Sequence, residues 1–483
     1  MSQMKETKNV ILSPLDHNLP NRNRNWEVVA TRNFGWQRIS PAQLFVSSFL
    51  LLIFTGTILF MIVPVFYVGS SLSFVDALFT ATSAVCVTGL IVVDTASYFS
   101  TYGQIFLLFL IQLGGLGMLT FTSIIIVTLG KRLSVRQETL YFPSSGLVSS
   151  GVDSNRLVRH IVTFALGIEF IGALLLWISF GQLYGFKNGF WPAIFHSVSA
   201  FCNAGFSLFS DSLMHLNTSP GVLLTVSFLI TTGGIGFLTL EDFALYFSSG
   251  KKKRHRLSLQ SKIILLTSFS LLLIGTLMFV LLEWNSGLSG LSPEFRFVNA
   301  FFLSVTSRTA GFNSIDHSLM TDAGNFFTII LMMIGGSPGS TAGGLKTTTF
   351  FLIGLLAWSR IRGDMDATFL SRSVRQETLS RAVGLFVIGF GVITVSVLML
   401  SVFETSYGIP GRFLELLFEV VSAFNTVGLS IGNTASLSDS AKFLLVILMF
   451  IGRVGPLAFA AAIFTVSSRK KNFRYSYEDV IVG

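Results

Sequence analysis

Charged residues and cysteines are both scarce in this sequence. Asp, Glu, Lys and Arg make up 12% of its 483 residues, about half of the ~25% that is usual in soluble domains. Cys86 and Cys202 are the two cysteines, too few for a small disulfide-stapled scaffold. The first 40 residues also lack the apolar core of a secretory signal. These absences argue against a cytosolic enzyme and against a disulfide-rich secreted domain.

Apolar residues in long runs are what the sequence has instead. Hydrophobic residues reach 51% and Phe occurs 49 times, and the mean hydropathy is +0.70. Disordered regulators have the opposite composition. Runs long enough to span a ~30 Å lipid core lie at residues 42–67, 104–129, 158–184, 221–247, 261–284, 325–357 (interrupted), 381–404 and 441–467. The sequence therefore predicts an all-α multi-pass membrane protein with eight spans.

The positions of the 33 Lys and Arg residues predict the orientation of the chain. Six precede residue 40, and twenty fall in the polar stretches 131–136, 156–159, 251–262, 360–381 and 469–474. The opposite set of loops holds four basic residues and ten acidic ones. The positive-inside rule then places the basic loops and both termini in the cytoplasm. Because the basic stretches flank spans and lack interleaved aromatic residues, no nucleic acid is expected as a partner.

Short apolar segments between paired spans reveal a fourfold internal repeat. They are about eleven residues long and lie at 74–84, 190–200, 296–306 and 413–423. A helix of that length crosses half a membrane, so we expect four re-entrant segments. Each is followed by an aligned glycine with Phe ten residues earlier, and three have Ser six residues earlier, Val305 being the exception.

The repeats divide the chain into six predicted parts. A cytoplasmic segment, 1–40, precedes repeats at 41–140, 141–256, 257–375 and 376–467, and a cytoplasmic tail occupies 468–483. The heptapeptide at 134–140 recurs unchanged at 373–379. We interpret the two copies as docking sites for a regulatory partner, with ordinary amphipathic linkers as the alternative.

A glycine-containing turn at half-membrane depth ends each short segment. Non-helical backbone is tolerated there only if it is buried in protein or lines a wet cavity. Four such turns around one axis would line one path, and their carbonyls could replace the hydration shell of a K⁺ ion. The alternative for a single turn is a small-residue helix contact. The predicted filter and K⁺ ligands are Val87, Thr88, Gly89, Asn203, Ala204, Gly205, Thr309, Ala310, Gly311, Thr426, Val427 and Gly428.

The sixth span is interrupted by five glycines and a proline, which a helix cannot accommodate. We interpret the interruption as a flexible gating loop beneath the turns. A phosphate-binding loop is disfavoured because Gly339 to Thr347 is one residue too long for that motif and no strand precedes it. The predicted gate residues are Gly335, Gly336, Ser337, Pro338, Gly339, Ser340, Thr341, Ala342, Gly343, Gly344, Lys346 and Arg453.

Three basic residues, Arg308, Lys346 and Arg453, lie in apolar surroundings. An arginine that faces lipid costs between ~3 and ~15 kcal/mol. Arg453 should therefore contact carbonyls of residues 335–349 or the carboxylate of Glu169, either as a gate element or as a buried ion pair that fixes helix packing. Arg308 precedes Gly311 by three residues, and we expect it to brace its turn against a nearby Asp or Glu.

These turns, the four helix–turn–helix units and the 335–349 loop resemble the Trk/Ktr/HKT superfamily of potassium transporters over about 41–467. The bacterial Ktr-type pore subunit is the most similar branch, since Trk-type members carry two further N-terminal spans. The resemblance implies K⁺ uptake across the bacterial inner membrane through a selective filter gated by the loop and Arg453. It also implies a homodimer, a cytosolic nucleotide-binding RCK ring, Na⁺-dependent uptake or symport, and no cofactor. Gly89 matches K⁺-selective members, whereas sodium-favouring plant members have Ser there.

A carrier and an intramembrane enzyme are the two alternatives to a pore, and each would require sequence features of its own. A carrier for an organic solute would use inverted repeats, whereas all four repeats here are predicted to start on the cytoplasmic side. An intramembrane enzyme would need a nucleophile with a base, or a metal cluster, on its spans. The sequence offers neither arrangement, so the protein is not expected to be an enzyme.

Overall fold

A computed structural model describes residues 41–128, 154–248, 257–406, 413–456 and 459. The predicted segment 1–40, the first heptapeptide copy at 134–140 and the predicted tail 468–483 lie outside these ranges. Within them the chain is mainly helical, with irregular segments between helices and one small hairpin of β1 (Thr368–Phe369) and β2 (Arg372–Ser373).

The predicted order of long, short and long helices is found in repeat 1, whereas two shorter helices follow the short helix of repeat 2. Repeat 1 contains α1 (Pro41–Ile62), α2 (Phe74–Val85), the single turn α3 (Thr95–Tyr98) and α4 (Thr101–Thr128). Repeat 2 contains α5 (Ser154–Tyr184), α6 (Phe186–Phe201), α7 (Pro220–Ile235) and α8 (Phe237–Ser248).

The last two repeats also begin with a long and a short helix, which are followed by shorter helices in the described residues. Repeat 3 contains α9 (Leu259–Glu283), α10 (Pro293–Thr306), α11 (Asp322–Met333) and α12 (Thr347–Ile361). Repeat 4 contains α13 (Gln376–Ser406), α14 (Phe413–Phe424) and α15 (Asp439–Val454). The four predicted short segments thus form the helices α2, α6, α10 and α14.

Four of the described helices, α1, α5, α9 and α13, are long and apolar enough to cross a membrane. The apolar stretch predicted to span at 221–247 is not one straight helix, because α7 and α8 meet at Gly236 with a bend of 102°; together the two helices are still long and apolar enough for one broken span. The helix predicted over 441–467 likewise ends at Val454, before Gly455. Both glycines have positive φ, 95° and 89°, a left-handed conformation that a right-handed helix cannot contain.

The short helices are held by their apolar sides. The Phe ten residues before the aligned glycine is fully buried in three repeats, as Phe79, Phe195 and Phe418, and Phe301 is half-buried. Each such ring removes a large apolar surface from solvent. The repeated Phe therefore fixes each short helix in the core.

Side-chain contacts join neighbouring repeats and close the circle from repeat 4 back to repeat 1. They are Trp191 Nε1 to Gln104 Oε1 (2.8 Å), Asn299 Nδ2 to the Asn217 carbonyl (2.7 Å), the His317 and Phe418 rings (centroids 5.3 Å apart) and Lys442 Nζ to Asp76 Oδ1 (2.9 Å). The four short helices therefore surround one common centre.

Candidate functional site

The four glycine turns share one unusual backbone conformation. In each, the first and third residues have positive φ, while the middle residue does not. This alternation of left-handed and right-handed residues turns successive carbonyls toward the same side of the chain. The positive φ angles are Val87 56°, Gly89 91°, Asn203 59°, Gly205 70°, Thr309 71°, Gly311 81°, Thr426 51° and Gly428 92°.

The four turns form a closed ring, with their third residues in contact around the centre. We call these twelve residues (87–89, 203–205, 309–311 and 426–428) the turn ring. A methyl group placed on Gly89 would lie 3.1 Å from Gly205 Cα, and one on Gly205 would lie 3.0 Å from Gly311 Cα. The series continues from Gly311 to Gly428 at 3.1 Å and returns from Gly428 to Gly89 at 3.0 Å. Glycine is required here because any side chain would fill the ring and would also be strained at positive φ.

Carbonyls without hydrogen-bond donors line the turn ring. Among the described residues, none donates a hydrogen bond to a carbonyl of these twelve turn residues. All twelve residues are nevertheless buried. A buried carbonyl without a donor is costly unless a ligand replaces water. The short helices end one or two residues before the turns, so the negative ends of their dipoles also point at the ring.

Hydroxyl groups of the short helices brace the turns from behind. Ser83 Oγ donates to the Leu90 carbonyl at 2.7 Å, and Ser199 Oγ donates to the Phe206 carbonyl at 2.8 Å. Repeat 3 has Val305 at this position, which cannot donate a hydrogen bond. The next residue supplies the hydroxyl instead, since Thr306 Oγ1 donates to the Phe312 carbonyl at 2.8 Å.

In the fourth repeat the predicted Ser is again engaged. Ser422 Oγ accepts the Gly428 amide at 3.1 Å. Every turn is therefore held by a hydroxyl, including the one that the sequence pattern left out.

Glycines on α4, α7 and α15 allow these helices to approach the short helices of repeats 1, 2 and 4 closely. A methyl group on Gly114, Gly233 or Gly452 would collide with the last carbonyls of α2, α6 and α14, respectively. In each case the contacted residue lies four positions before the aligned glycine. The glycines thus let these helices press directly against the roots of the turns.

Residues 335–346 form an irregular segment, here called the break loop, between α11 and α12. The loop packs on the turn ring, because a methyl group on Gly343 would collide with Thr426 Oγ1. Asn425, immediately before that turn, accepts the Leu345 amide at 3.3 Å through its side chain. The predicted interruption of the sixth span is thus confirmed, and the loop lies against the ring.

The break loop is also tied to repeat 2. The Ser337 amide donates to the Gly234 carbonyl at 3.0 Å, and Thr341 Oγ1 donates to the Phe201 carbonyl at 3.1 Å. These bonds use carbonyls that become free where α7 breaks and α6 ends. The two helix ends therefore supply acceptors for a loop that has few of its own regular partners.

Arg453 connects the break loop to repeat 1. It is 2% exposed, and its Nη1 donates to the Thr341 carbonyl. Its Nη2 donates to the Gly114 carbonyl of α4 at 2.7 Å. The predicted contact with a loop carbonyl is present, whereas Glu169 is not its hydrogen-bond partner. A guanidinium that ties three repeats together is well suited to hold the loop in place.

Lys346 binds within the loop itself. Its Nζ donates to the Ala342 carbonyl at 2.7 Å and lies 3.5 Å from the Gly343 carbonyl. The ammonium thus links the loop to itself at the start of α12, and carbonyl oxygens compensate its partly buried charge.

Arg308 does not meet a carboxylate, so the expected Asp or Glu partner is wrong. Its Nη2 lies 3.2 Å from Ser268 Oγ and its Nη1 lies 3.4 Å from the Ser268 carbonyl, both on α9. Its Nε has no partner among the described residues. The arginine still joins the third turn to its long helix, with a hydroxyl and a carbonyl in place of a counter-charge.

Glu169 forms a separate buried cluster behind the second turn. Gln112 Nε2 donates to both of its carboxylate oxygens at 3.0 Å. Cys202 Sγ lies 3.4 Å from Gln112 Oε1 and is a free thiol, as is the equally buried Cys86. The sequence did not indicate Gln112, because its role depends on packing between repeats 1 and 2.

Acidic side chains follow the first three turns, at the end of the ring where the chain leaves each turn. They are Asp94, Asp211 and Asp316, with Asn433 in repeat 4. Partial burial alone would raise the pKa of Asp94, but hydrogen bonds from Ser210, Ser97 and nearby amides outweigh it and lower the pKa below its ordinary value. Asp94 therefore stays charged at neutral pH, which favours cations at this end of the ring.

Comparisons with known proteins give matches over most of the chain. The model of the TrkH family, described as cation transport protein, matches residues 40–475. The potassium/sodium uptake protein NtpJ of Enterococcus hirae is 38% identical over 451 residues, covering 92% of this chain and 98% of the relative. The Ktr system potassium uptake protein B of Vibrio alginolyticus is 39% identical over 417 residues, covering 85% and 90%.

A solved structure shares the fold. The crystal structure of the potassium transporter TrkH from Vibrio parahaemolyticus matches with a TM-score of 0.71, covering 90% of this chain and 87% of that chain. Sequence identity between the two is 20%. The arrangement of helices is therefore retained despite extensive sequence divergence.

Proposed function

The chain belongs to the TrkH family of cation transport proteins, multi-pass membrane proteins that are not enzymes, and from this premise we propose that it takes up K⁺ through the turn ring. The observation that carries the proposal is the ring of four turns with buried carbonyls and no side chain at its centre. Such carbonyls can replace the water around a dehydrated K⁺ ion. The inside-negative membrane potential would drive uptake with about 2.3 kcal/mol per charge per 100 mV.

Proteoliposomes test this function directly. Vesicles containing the purified protein should take up K⁺ at least about tenfold faster than Na⁺ when the two gradients are equal, a preference of ~1.4 kcal/mol. Empty vesicles are the control. Equal uptake of the two ions, or transport of an organic solute with no ion uptake, would contradict the proposal.

Sodium enters the proposal as a second, coupled ion. One relative is described as a potassium/sodium uptake protein. The same vesicles should therefore take up K⁺ faster when Na⁺ is present outside, as symport requires. The protein is proposed to lie in the bacterial inner membrane, with its termini in the cytoplasm and as a homodimer with one ring per protomer.

The break loop and Arg453 are proposed as the gate. Support comes from the contact of Gly343 with Thr426 of the ring and from the bond between Arg453 and the Thr341 carbonyl. A loop so close to the ring would obstruct passage of the ion until it moves. Glycines at 335, 336, 339, 343 and 344 supply the backbone freedom that such movement needs.

A cytosolic nucleotide-binding RCK ring is proposed as the regulatory partner, because a relative is named as one component of a Ktr system. The second heptapeptide copy, 373–379, runs from β2 into the start of α13. Arg375 and Glu377 are exposed there, so they are free to contact a partner.

Substituting both exposed residues tests the docking proposal. Arg375→Ala with Glu377→Ala should weaken binding of a purified RCK ring at least about tenfold, since each charged contact is worth about 1 kcal/mol. Arg381→Ala is the matched control, because Arg381 is exposed on the same helix outside the heptapeptide. Binding that is unchanged in the double variant, or equally weakened in the control, would leave the heptapeptide as a linker.

A further inference from the structure

A polar clamp holds the outer side of the fourth turn. Glu419 is 1% exposed and lies on α14, nine residues before Gly428. Its Oε1 accepts a hydrogen bond from Ser430 Oγ, and its Oε2 accepts one from Thr434 Oγ1 at 2.7 Å. Ser430 is the second residue after Gly428. The carboxylate therefore joins the short helix to the chain that leaves the turn.

The second turn has a clamp at the same two positions. His196 lies nine residues before Gly205, and Ser207 lies two residues after it. His196 Nδ1 is 2.8 Å from the Pro192 carbonyl, which can only accept, so Nδ1 carries the proton. In the neutral ring, Nε2 is then the acceptor for Ser207 Oγ at 2.9 Å.

The two serines also share their local backbone geometry. Ser207 Oγ accepts the Phe209 amide at 3.0 Å, and Ser430 Oγ accepts the Gly432 amide at 3.0 Å. Each clamp thus consists of a buried side chain on the short helix and a serine that organises the exit from the turn. The match is notable because the clamping residues, Glu419 and His196, are chemically different.

The first and third turns have no such clamp. In repeat 1 the two positions hold Thr80 and Ile91, and in repeat 3 they hold Phe302 and Asn313. The Thr80 hydroxyl has no hydrogen-bond partner in the described part of the chain. Ile91 and Phe302 carry no side-chain polar group. The clamps are therefore confined to repeats 2 and 4.

Repeats 2 and 4 face each other across the turn ring, because the glycines meet in the order Gly89, Gly205, Gly311, Gly428 and back to Gly89. We propose that Glu419 and His196 are positioning residues that hold the outer limbs of two opposite turns at the spacing that favours K⁺ over Na⁺. The smaller Na⁺ ion needs shorter distances to oxygen, so the ring must contract to bind it. Two rigid clamps on one diameter resist that contraction.

This inference rests on the proposed K⁺ filter. It adds that selectivity is set by two of the four turns, with side chains that do not touch the ion. Glu419 and His196 act through Ser430 and Ser207, so their removal should change the preference between ions as well as the rate.

Removal of either clamp should lower the K⁺:Na⁺ uptake ratio of proteoliposomes. Glu419→Ala, Ser430→Ala and His196→Ala should each reduce it roughly tenfold, the effect expected when one hydrogen bond to a charged or buried polar group is lost. Glu419→Ala combined with Ser430→Ala should do no more than either change alone, because both break the same clamp. Glu419→Gln should largely retain the ratio, since its one side-chain oxygen can still accept from Ser430 Oγ and so keep the clamp.

Thr80→Ala is the matched control, because Thr80 has the Glu419 position in repeat 1 but holds no clamp. Its ratio should equal that of the unaltered protein.

If the unaltered protein itself does not prefer K⁺, the proposed function fails before the clamps are tested. If the unaltered protein prefers K⁺ while folded Ser430→Ala and His196→Ala variants keep its ratio, the clamp proposal is overturned. If Glu419→Ala does not fold, the ratio of Ser430→Ala serves as the test of the fourth-turn clamp. A Thr80→Ala variant whose K⁺:Na⁺ ratio falls as much as that of the clamp variants would also overturn the proposal.

Discussion

Gly89→Ser should lower the K⁺:Na⁺ uptake ratio of the protein at least about tenfold, equivalent to ~1.4 kcal/mol of preference. Gly89 has φ of 91°, and a Cβ atom there would collide with the Ala204 carbonyl and lie 3.1 Å from Gly205 Cα. The backbone conformation alone costs an L-residue roughly 1–2 kcal/mol. The added side chain would displace the Ala204 carbonyl of the neighbouring turn, so the effect should appear in selectivity as well as in rate.

Gly363→Ser separates backbone strain from the loss of space. Gly363 also has positive φ, 76°, but a methyl group there would meet nothing within 4 Å. The measurement is uptake of K⁺ and of Na⁺ in proteoliposomes, with thermal unfolding as the check on folding. A folded Gly89→Ser variant that keeps the original ratio would remove the basis for the filter.

Arg453→Ala should raise K⁺ flux in the absence of a regulatory partner at least about tenfold. The substitution removes the bonds to the Thr341 and Gly114 carbonyls. Hydrogen bonds from a charged donor contribute about 1.5–3 kcal/mol each, and ~1.4 kcal/mol shifts a two-state equilibrium tenfold. A break loop released from repeat 1 should therefore leave the obstructing position more often.

Arg308→Ala is the matched control for this change. Arg308 is another arginine near a turn, but its hydrogen-bond partner is Ser268 rather than the break loop. Flux should be measured in proteoliposomes for both variants, together with their thermal stability. A loss of stability with unchanged flux in Arg453→Ala would identify the arginine as a packing residue, and an equal rise in Arg308→Ala would show that the effect is not specific to the loop.

Local sequence patterns predicted the short helices and the turns well, because these features depend on residues close together in the chain. The spacing from Phe79 to Gly89 recurs in every repeat, and it marks where a helix must end and a turn begin. The break loop was also predictable, since its glycines and Pro338 leave no helical alternative.

Features that depend on packing between helices far apart in the sequence could not be predicted. Arg308 was expected to meet a carboxylate, yet its hydrogen-bond partner is Ser268 on α9, 40 residues earlier. Arg453 was matched to a loop carbonyl, but its second partner, Gly114, belongs to another repeat 339 residues away. Apolar continuity likewise hid the ends of α7 and α15, although Pro456 directly after Gly455 was a signal that the helix stops.

The turn ring is made from four different stretches of one polypeptide, so each turn can be changed without changing the other three. In a filter built from identical subunits, one substitution changes every quadrant at once. Here a single backbone ester or a single isotope label, placed so that it changes the carbonyl of Ala204 or of Ala310, would alter one oxygen of the ring. Infrared spectra of such samples would report ion occupancy quadrant by quadrant, a resolution that a symmetric assembly does not allow.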